Sequence, residues 1–192
     1  MPTSPRAAAE SLSPRTAAVW SALDTVLGSG TLRVLDVGGG SGTLAVPLAQ
    51  GGHDVTVVDP SADALATLRE IAAAVRPGGT VSIAAANRAG AVLTRALGGH
   101  PKEALALLED RDPAPGRARP VRRRFDPAEL LALVEGAGLH AAGWRGVSVV
   151  ADLLEADSGA DPAAVRDLEV ALSDTSPYRD VATGLHVLAT RR

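Results

Sequence analysis

The residues best suited to chemistry in this sequence form one glycine-rich segment, Gly38-Gly39-Gly40-Ser41-Gly42. A β-branched and leucine-rich run over 31–37, which includes Asp36, precedes it, and a helix is predicted to follow as far as Gln50. At such a strand-to-helix turn, unpaired backbone N–H groups and the positive end of the helix face the loop. Because glycines let a ligand approach the main chain closely, the segment is typical of a small-molecule binding loop.

A second acidic residue supports a nucleoside ligand. Asp59 closes the next predicted strand, 53–59, and Pro60 follows it. In nucleotide-binding α/β folds, an acidic side chain at the end of the second strand reaches the ribose hydroxyls. The loop and Asp59 together predict an adenosine-containing ligand at the carboxyl ends of the first strands.

The spacing of the glycines distinguishes between two such ligands. A dinucleotide fingerprint would place its third glycine at position 43, where the sequence has Thr43. Asp36 would repel a pyrophosphate but attract a cationic amino group, and S-adenosylmethionine carries an ammonium and a sulfonium without any phosphate. The methyl donor is therefore favoured over NAD. A nicotinamide-dependent oxidoreductase and a glycine turn that binds nothing remain as alternatives.

This segment resembles motif I of the class I S-adenosylmethionine-dependent methyltransferases, and Asp59-Pro60-Ser61 resembles their acidic turn after the second strand. The stretch 76–83 is similar to the helix end and fifth strand of that family. The resemblance implies that S-adenosylmethionine is the cofactor, and it assigns the cofactor-binding role to these residues: Asp36, Gly38, Gly39, Gly40, Ser41, Gly42, Asp59 and Pro60. No catalytic residue and no metal ligand is assigned.

Beyond motif I, the chain most resembles the branch that contains tRNA carboxymethoxyuridine methyltransferase. The matching positions are Asn87, Leu97–His100, Phe125–Pro127, Gly146, Val147, Val149, Asp152, Ser176–Tyr178 and Leu185–Val187. This resemblance implies methyl transfer to a carboxylate of a modified wobble uridine in tRNA.

One part of the family pattern is missing. Only one helix, predicted over 61–76, fits between Asp59 and Thr80, whereas a strand–helix–strand unit needs about 30 residues. We therefore expect an internal deletion between the family's second and fifth strands, which removes part of the adenine pocket. We expect strand 80–86 to pair directly with 32–37, and the linking helix to lie on the opposite sheet face from helix 42–50. The deletion raises an alternative function, an inactive or binding-only methyltransferase remnant.

Other side chains are candidates for binding the substrate. The stretch Arg111–Arg124 contains six arginines and one aspartate, which suits contact with the tRNA backbone or an ordinary solvated loop. Arg179 is a candidate for orienting a carboxylate, and Asn87 for either substrate binding or helix capping. His186 is interpreted as a packed core histidine. The predicted substrate residues are Asn87, Arg122, Arg123, Tyr178 and Arg179.

Alternating strands and helices place these residues in an α/β fold: a Rossmann-like, mostly parallel sheet of about five strands, shortened relative to the seven-stranded methyltransferase fold. Residues 1–13 are predicted to be flexible and 14–192 to form a single methyltransferase-like domain. Further helices are expected over 14–27, 89–98, 101–109, 127–136 and 162–173, and further strands over 147–151 and 185–190.

Composition limits the remaining possibilities. The absence of cysteine excludes disulfides and thiolate metal sites, and the net charge of −3 excludes a generally basic nucleic-acid coat. No apolar run reaches the roughly 20 residues that span a bilayer. We therefore expect a cytoplasmic protein without membrane contact. Because a shortened sheet leaves strand edges open, the chain is expected to be a monomer or a homodimer.

Overall fold

The structure is a computed structural model that describes residues 13–28, 30–37, 44–58, 64–109, 123–154 and 158–192. A 3-10 turn, Pro14–Thr16, precedes the first helix. The helices are α1 (Ala17–Leu27), α2 (Ala45–Gln50), α3 (Ala64–Ala74), α4 (Arg88–Leu97), α5 (Pro101–Leu108), α6 (Pro127–Gly136) and α7 (Pro162–Ser173). The strands are β1 (Arg33–Val37), β2 (Asp54–Val58), β3 (Thr80–Asn87), β4 (Arg124–Phe125), β5 (Leu139–Ala141), β6 (Arg145–Val147) and β7 (Gly184–Arg191).

The described strands form two sheets. β1 and β2 pair in parallel, from Arg33 opposite Asp54 to Val37 opposite Val58, so that their carboxyl ends lie side by side. The second sheet has the order β4-β3-β7-β5, and β6 also pairs with β7. β4 is parallel to β3, whereas β3, β5 and β6 all run antiparallel to β7. The α/β class is thus as expected, but the larger sheet is not mostly parallel.

The predicted pairing of strand 80–86 with strand 32–37 is wrong. β7 lies along one edge of β3, from Thr80 opposite Thr190 to Ala86 opposite Gly184. β4 occupies the end of the other edge, at Ala86 and Asn87. β1 pairs with β2 and with no other strand that the structure describes. The apolar runs identified these strands, but a run of apolar residues does not encode which edge a distant strand will occupy.

Two apolar clusters cover opposite faces of β7. On one face, Leu185, Val187 and Ala189 pack with Ala72 of α3 and Val134 of α6. On the other face, residues of α1 and α2 form a cluster that also contacts both sheets; its members include Trp20, Leu23, Leu48, Val34, Val55 and Leu188. Ala72 of α3 and Leu48 of α2 therefore belong to the clusters on opposite faces of β7, and α1 packs against both sheets. The predicted facing of these two helices assumed one sheet that pairs 80–86 with 32–37, and the described strands do not form that sheet.

The described helices lie close to their predicted bounds, whereas the strands between β3 and β7 differ from prediction. Pro162 begins α7, and the Asp161 side chain accepts hydrogen bonds from the Ala163 and Ala164 amides. The strand predicted over 147–151 is wrong, since β6 ends at Val147 and Ser148 has a φ of 57°. The backbone amides that follow point toward a buried carboxylate instead of toward a neighbouring strand. Strands β4 and β5 were not predicted, and β6 shares only Val147 with the predicted strand. None of the described helices is long and apolar enough to cross a bilayer.

Candidate functional site

Asp36 is the predicted cofactor residue that the structure describes. It lies one residue before the carboxyl end of β1, and its side chain is partly withdrawn from water. Its Oδ2 atom is buried and has no hydrogen-bond partner among the described residues. Burial raises the pKa of this carboxyl above its ordinary value, because desolvation disfavours the charged form. A buried carboxylate oxygen without a donor suits a cationic group of a ligand.

The other predicted cofactor residues lie outside the described residues. They are Gly38, Gly39, Gly40, Ser41, Gly42, Asp59 and Pro60. The residues that precede these two segments in the chain, Val37 and Val58, lie opposite each other at one end of the small sheet. Ligands of open α/β sheets bind outside the carboxyl ends of the strands.

Asn87, a predicted substrate residue, is fully buried at the end of β3. Its Oδ1 accepts from the Ala89 amide at 3.2 Å and caps α4. Its Nδ2 donates to the carbonyl oxygens of Asp180, at 3.0 Å, and Ala182, at 2.8 Å. Of the two predicted roles, substrate binding and helix capping, the structure shows helix capping. Both N–H groups of the Asn87 side-chain amide donate to the turn that precedes β7.

That turn carries the predicted pair Tyr178 and Arg179. The guanidinium of Arg179 lies over the Trp144 ring, 4.5 Å from its centroid, and its Nη1 donates to the Trp144 carbonyl oxygen at 3.4 Å. Its Nε is buried without a hydrogen bond in the described part of the chain, and the Asp180 carboxylate is 3.9 Å away. Tyr178 is half exposed beside it. A guanidinium held over an indole ring is preorganised to bind a carboxylate or phosphate.

Of the predicted arginine-rich stretch, the structure describes Arg123 and Arg124. Arg123 donates to Glu129 Oε1 at 3.0 Å and lies 4.8 Å from the centroid of Phe125. Because Phe125 pairs with Asn87 in the sheet, Arg123 lies near the carboxyl end of β3. Arg122 and the other arginines of the stretch lie outside the described residues.

The structure thus brings together one set of predicted residues and leaves another apart. The carboxyl end of β3 carries Asn87, with the Tyr178–Arg179 turn bonded to it and Arg123 on the adjoining strand. Asp36 lies on the other sheet, and no described strand pairing connects it to this group. The substrate candidates are therefore neighbours of one another, whereas the cofactor candidate is held separately.

Sequence reasoning missed the carboxylate that holds a different turn, over 149–151. Glu169 of α7 is fully buried and accepts from three consecutive backbone amides: Val149 at 2.9 Å, Val150 at 2.8 Å and Ala151 at 2.7 Å. Asp152, which follows them, accepts from the Thr183 hydroxyl and lies 2.8 Å from Arg15. The sequence gives one signal for this site, which is that Glu169 lies on a helix face expected to be apolar. Its hydrogen-bond partners lie 18 to 20 residues earlier in the chain, so neighbouring residues do not indicate them.

His186 is buried, as predicted. Its Nε2 lies 2.8 Å from the Ser82 hydroxyl on the neighbouring strand. Burial, with a smaller contribution from the positive charge of Arg145, lowers the pKa of His186 to about 4. The imidazole is therefore neutral at physiological pH and belongs to the interior of the sheet.

Comparisons with known proteins find methyltransferases that are similar to the first part of the chain. Residues 34–91 match the family described as "Methyltransferase domain". The tRNA 5-carboxymethoxyuridine methyltransferase of Escherichia coli K12 is 43% identical over 63 residues, which cover 31% of this chain and 24% of that protein. The same enzyme of Escherichia coli O157:H7 matches equally. The chain thus aligns with about a quarter of the length of these relatives, and the matches support a methyltransferase domain that begins in β1 and extends into α4.

Proposed function

We propose that the protein is an S-adenosylmethionine-dependent methyltransferase that acts on a carboxylate of a modified wobble uridine in tRNA. The observation that carries the cofactor half of this proposal is the buried Oδ2 of Asp36, near the carboxyl end of β1, which has no hydrogen-bond partner among the described residues. The match of 34–91 to a methyltransferase domain supports the same half. The acceptor half is supported by what the similar Escherichia coli enzyme acts on and by the Arg179 guanidinium.

On the cofactor side, Asp36 accepts hydrogen bonds from the ammonium of the methionine moiety. This assignment fits a carboxylate that is poorly satisfied by the described protein atoms. The backbone of Gly38–Gly42 would hold the amino-acid portion, and Asp59 and Pro60 would hold the ribose. When bound, S-adenosylmethionine supplies an electrophilic methyl group.

On the acceptor side, Arg179 orients the carboxylate through its guanidinium, and the half-exposed Tyr178 lies beside it. Arg122 and Arg123 contact the phosphate backbone of the tRNA. Asn87 positions the Tyr178–Arg179 turn through its bond to the Asp180 carbonyl. An acceptor carboxylate is already ionised at neutral pH, so the chain needs no general base, and catalysis comes from proximity and orientation.

Calorimetric titration with S-adenosylhomocysteine tests the cofactor half. We expect binding to the wild type, and binding about tenfold weaker or more to Asp36→Asn, because the charged acceptor is lost. Asp54→Asn is the matched control, since Asp54 is exposed at the opposite end of the same small sheet. Equal affinity of Asp36→Asn and wild type would overturn the role of Asp36.

Incubation with a labelled methyl donor tests the acceptor half. Label is expected in tRNA that carries carboxymethoxyuridine and not in unmodified tRNA. Arg179→Gln is expected to raise KM for tRNA without changing the affinity for S-adenosylhomocysteine. Methylation of a small carboxylic acid alone would refute the tRNA assignment while leaving the cofactor half intact.

A binding-only remnant is the second candidate function. It is favoured by the structure between β2 and β3, where the described residues form one helix, α3, and where β1 and β3 do not pair. A chain of this kind keeps its sheet but lacks the segment that completes an adenine pocket. The folded protein can be titrated with S-adenosylhomocysteine at high concentration. If no heat of binding is detected, this candidate is favoured over the enzyme.

A further inference from the structure

The outer edge of β3 offers backbone groups that nothing described in the chain satisfies. Two bonds fix which residues face β7: the Asn87 amide donates to the Thr183 carbonyl oxygen at 3.0 Å, and the Arg191 amide donates to the Gly79 carbonyl oxygen at 2.9 Å. Since bonded pairs alternate along an antiparallel ladder, the odd-numbered residues of β3 bond to β7. The N–H and C=O groups of Thr80, Ser82 and Ala84 therefore point toward the other edge.

This edge is open over most of its length. β4 covers it only at Ala86 and Asn87, and no other described strand pairs there. The side chains of Thr80, Ser82 and Ala84, which share one face of β3, are exposed. Three unpaired donors and three unpaired acceptors in a row form a template for another strand.

The chemistry of the edge fits a second copy of the same strand. β3 has the sequence TVSIAAAN and carries no charge, so two copies can approach without repulsion. The side chains at the free positions are small, which permits close contact between the strands. The edge also lacks the lysines, prolines and internal bulges that usually protect an exposed strand. β1 also has an edge without a described partner, but it carries Arg33 and Asp36.

We propose that β3 pairs in antiparallel fashion with β3 of a second copy, about a two-fold axis at Ser82. In this register Ser82 lies opposite Ser82, and Thr80 of each copy lies opposite Ala84 of the other. All three N–H and all three C=O groups of each free edge are then paired. β4 ends the pairing beyond Ala84, because it occupies the edge at Ala86. The proposal does not depend on the proposed function.

Sedimentation equilibrium with a matched pair of variants tests the interface and its register. The wild type is expected to sediment as a concentration-dependent dimer. The double variant Thr80→Lys with Ala84→Lys places two lysines opposite each other at two positions of the interface. We expect its dissociation constant to be about tenfold higher than that of the wild type. Thr80→Glu with Ala84→Lys places opposite charges there, and its dissociation constant is expected to stay within about threefold of the wild type.

Each remaining outcome overturns the proposal. A wild-type chain that stays monomeric at high concentration shows that the edge does not pair. Equal dimerisation of both double variants shows that the dimer uses another surface, such as the exposed leucines Leu97, Leu105 and Leu108. Equal disruption by both shows that the register is wrong. Circular dichroism confirms that each variant is folded before its mass is interpreted.

Discussion

Glu169 and Asp36 are two carboxylates that the fold withdraws from water in different ways. Glu169, in α7, is fully buried, and its two oxygens accept from three consecutive backbone amides. Asp36, in β1, keeps one buried oxygen without a described partner, and burial raises its pKa. The first carboxylate is satisfied by the protein itself, whereas the described residues give the buried oxygen of the second no donor to compensate its desolvation.

The difference extends to the regions around the two residues. Glu169 belongs to a series of hydrogen bonds that includes the amides of 149–151. Next to them in the chain, Asp152 accepts from the Thr183 hydroxyl, and the Thr183 carbonyl oxygen accepts from the Asn87 amide. Around Asp36, the two-stranded sheet of β1 and β2 ends next to segments that we propose to bind the cofactor. A region that satisfies its own polar groups serves as a scaffold, and one that leaves a buried charge unsatisfied is available for a ligand.

Replacing Glu169 by its neutral isostere should give the largest loss of stability. Glu169→Gln turns an amide donor toward backbone donors and weakens three charge-assisted hydrogen bonds. We expect the free energy of unfolding to fall by about 4 kcal/mol, as measured by urea denaturation. Asp167→Ala, at an exposed position on the same helix, is the control. A loss below about 1 kcal/mol would mean that the 149–151 amides do not depend on Glu169.

Acid should destabilise the large sheet through His186. Its pKa is about 4 in the folded chain and about 6.5 when exposed, so the unfolded state binds the proton first. Stability due to this group is fully present above pH 6.5 and is lost as the pH falls toward 4, by about 3 kcal/mol in total. His186→Gln should remove this part of the pH dependence of urea unfolding. His140→Gln is the control at an exposed position, and an equal effect of both variants would contradict the prediction.

The close approach of α4 to the turn before β7 gives a smaller effect. A Cβ atom on Gly90 would lie 2.1 Å from the Ala182 carbonyl oxygen. Gly90→Ala should therefore destabilise the chain by about 2 kcal/mol, since α4 must move away from the residues that Asn87 holds. Gly136→Ala is the matched control, because a Cβ there meets nothing within 4 Å and alanine favours a helix. Thermal unfolding of both variants distinguishes local crowding from a general effect of alanine.

The sequence predicted what is determined locally. Caps and breakers bounded α7, where Asp161 and Pro162 begin the helix, and α6, which begins at Pro127 and ends at Gly136. Apolar runs located β3 and β7. These signals are properties of neighbouring residues, so no knowledge of the tertiary structure was needed.

The sequence did not predict what is determined by distant partners. The amides of 149–151 bond to a glutamate 18 to 20 residues later, so an apolar run that looks like a strand forms a turn. β3 pairs with β7, about 100 residues away, instead of with β1. In the candidate site, the residue types at Asp36 and Arg179 were identified, but the Trp144 ring under Arg179 was not.

Asp36→Asn, the neutral isostere at this position, should have the smallest effect on the free energy of unfolding. Unlike Glu169→Gln, it should not lower this free energy. Because the folded state raises the pKa of this carboxyl, it binds the proton more readily than the unfolded state does. Stability from this group is therefore greatest at acidic pH and declines as the pH rises through the folded pKa. Asp36→Asn removes the buried charge, so at neutral pH the free energy of unfolding should stay the same or rise slightly, as measured by urea denaturation. A loss as large as that of Glu169→Gln would show that Asp36 is structural and that the two carboxylates do not differ.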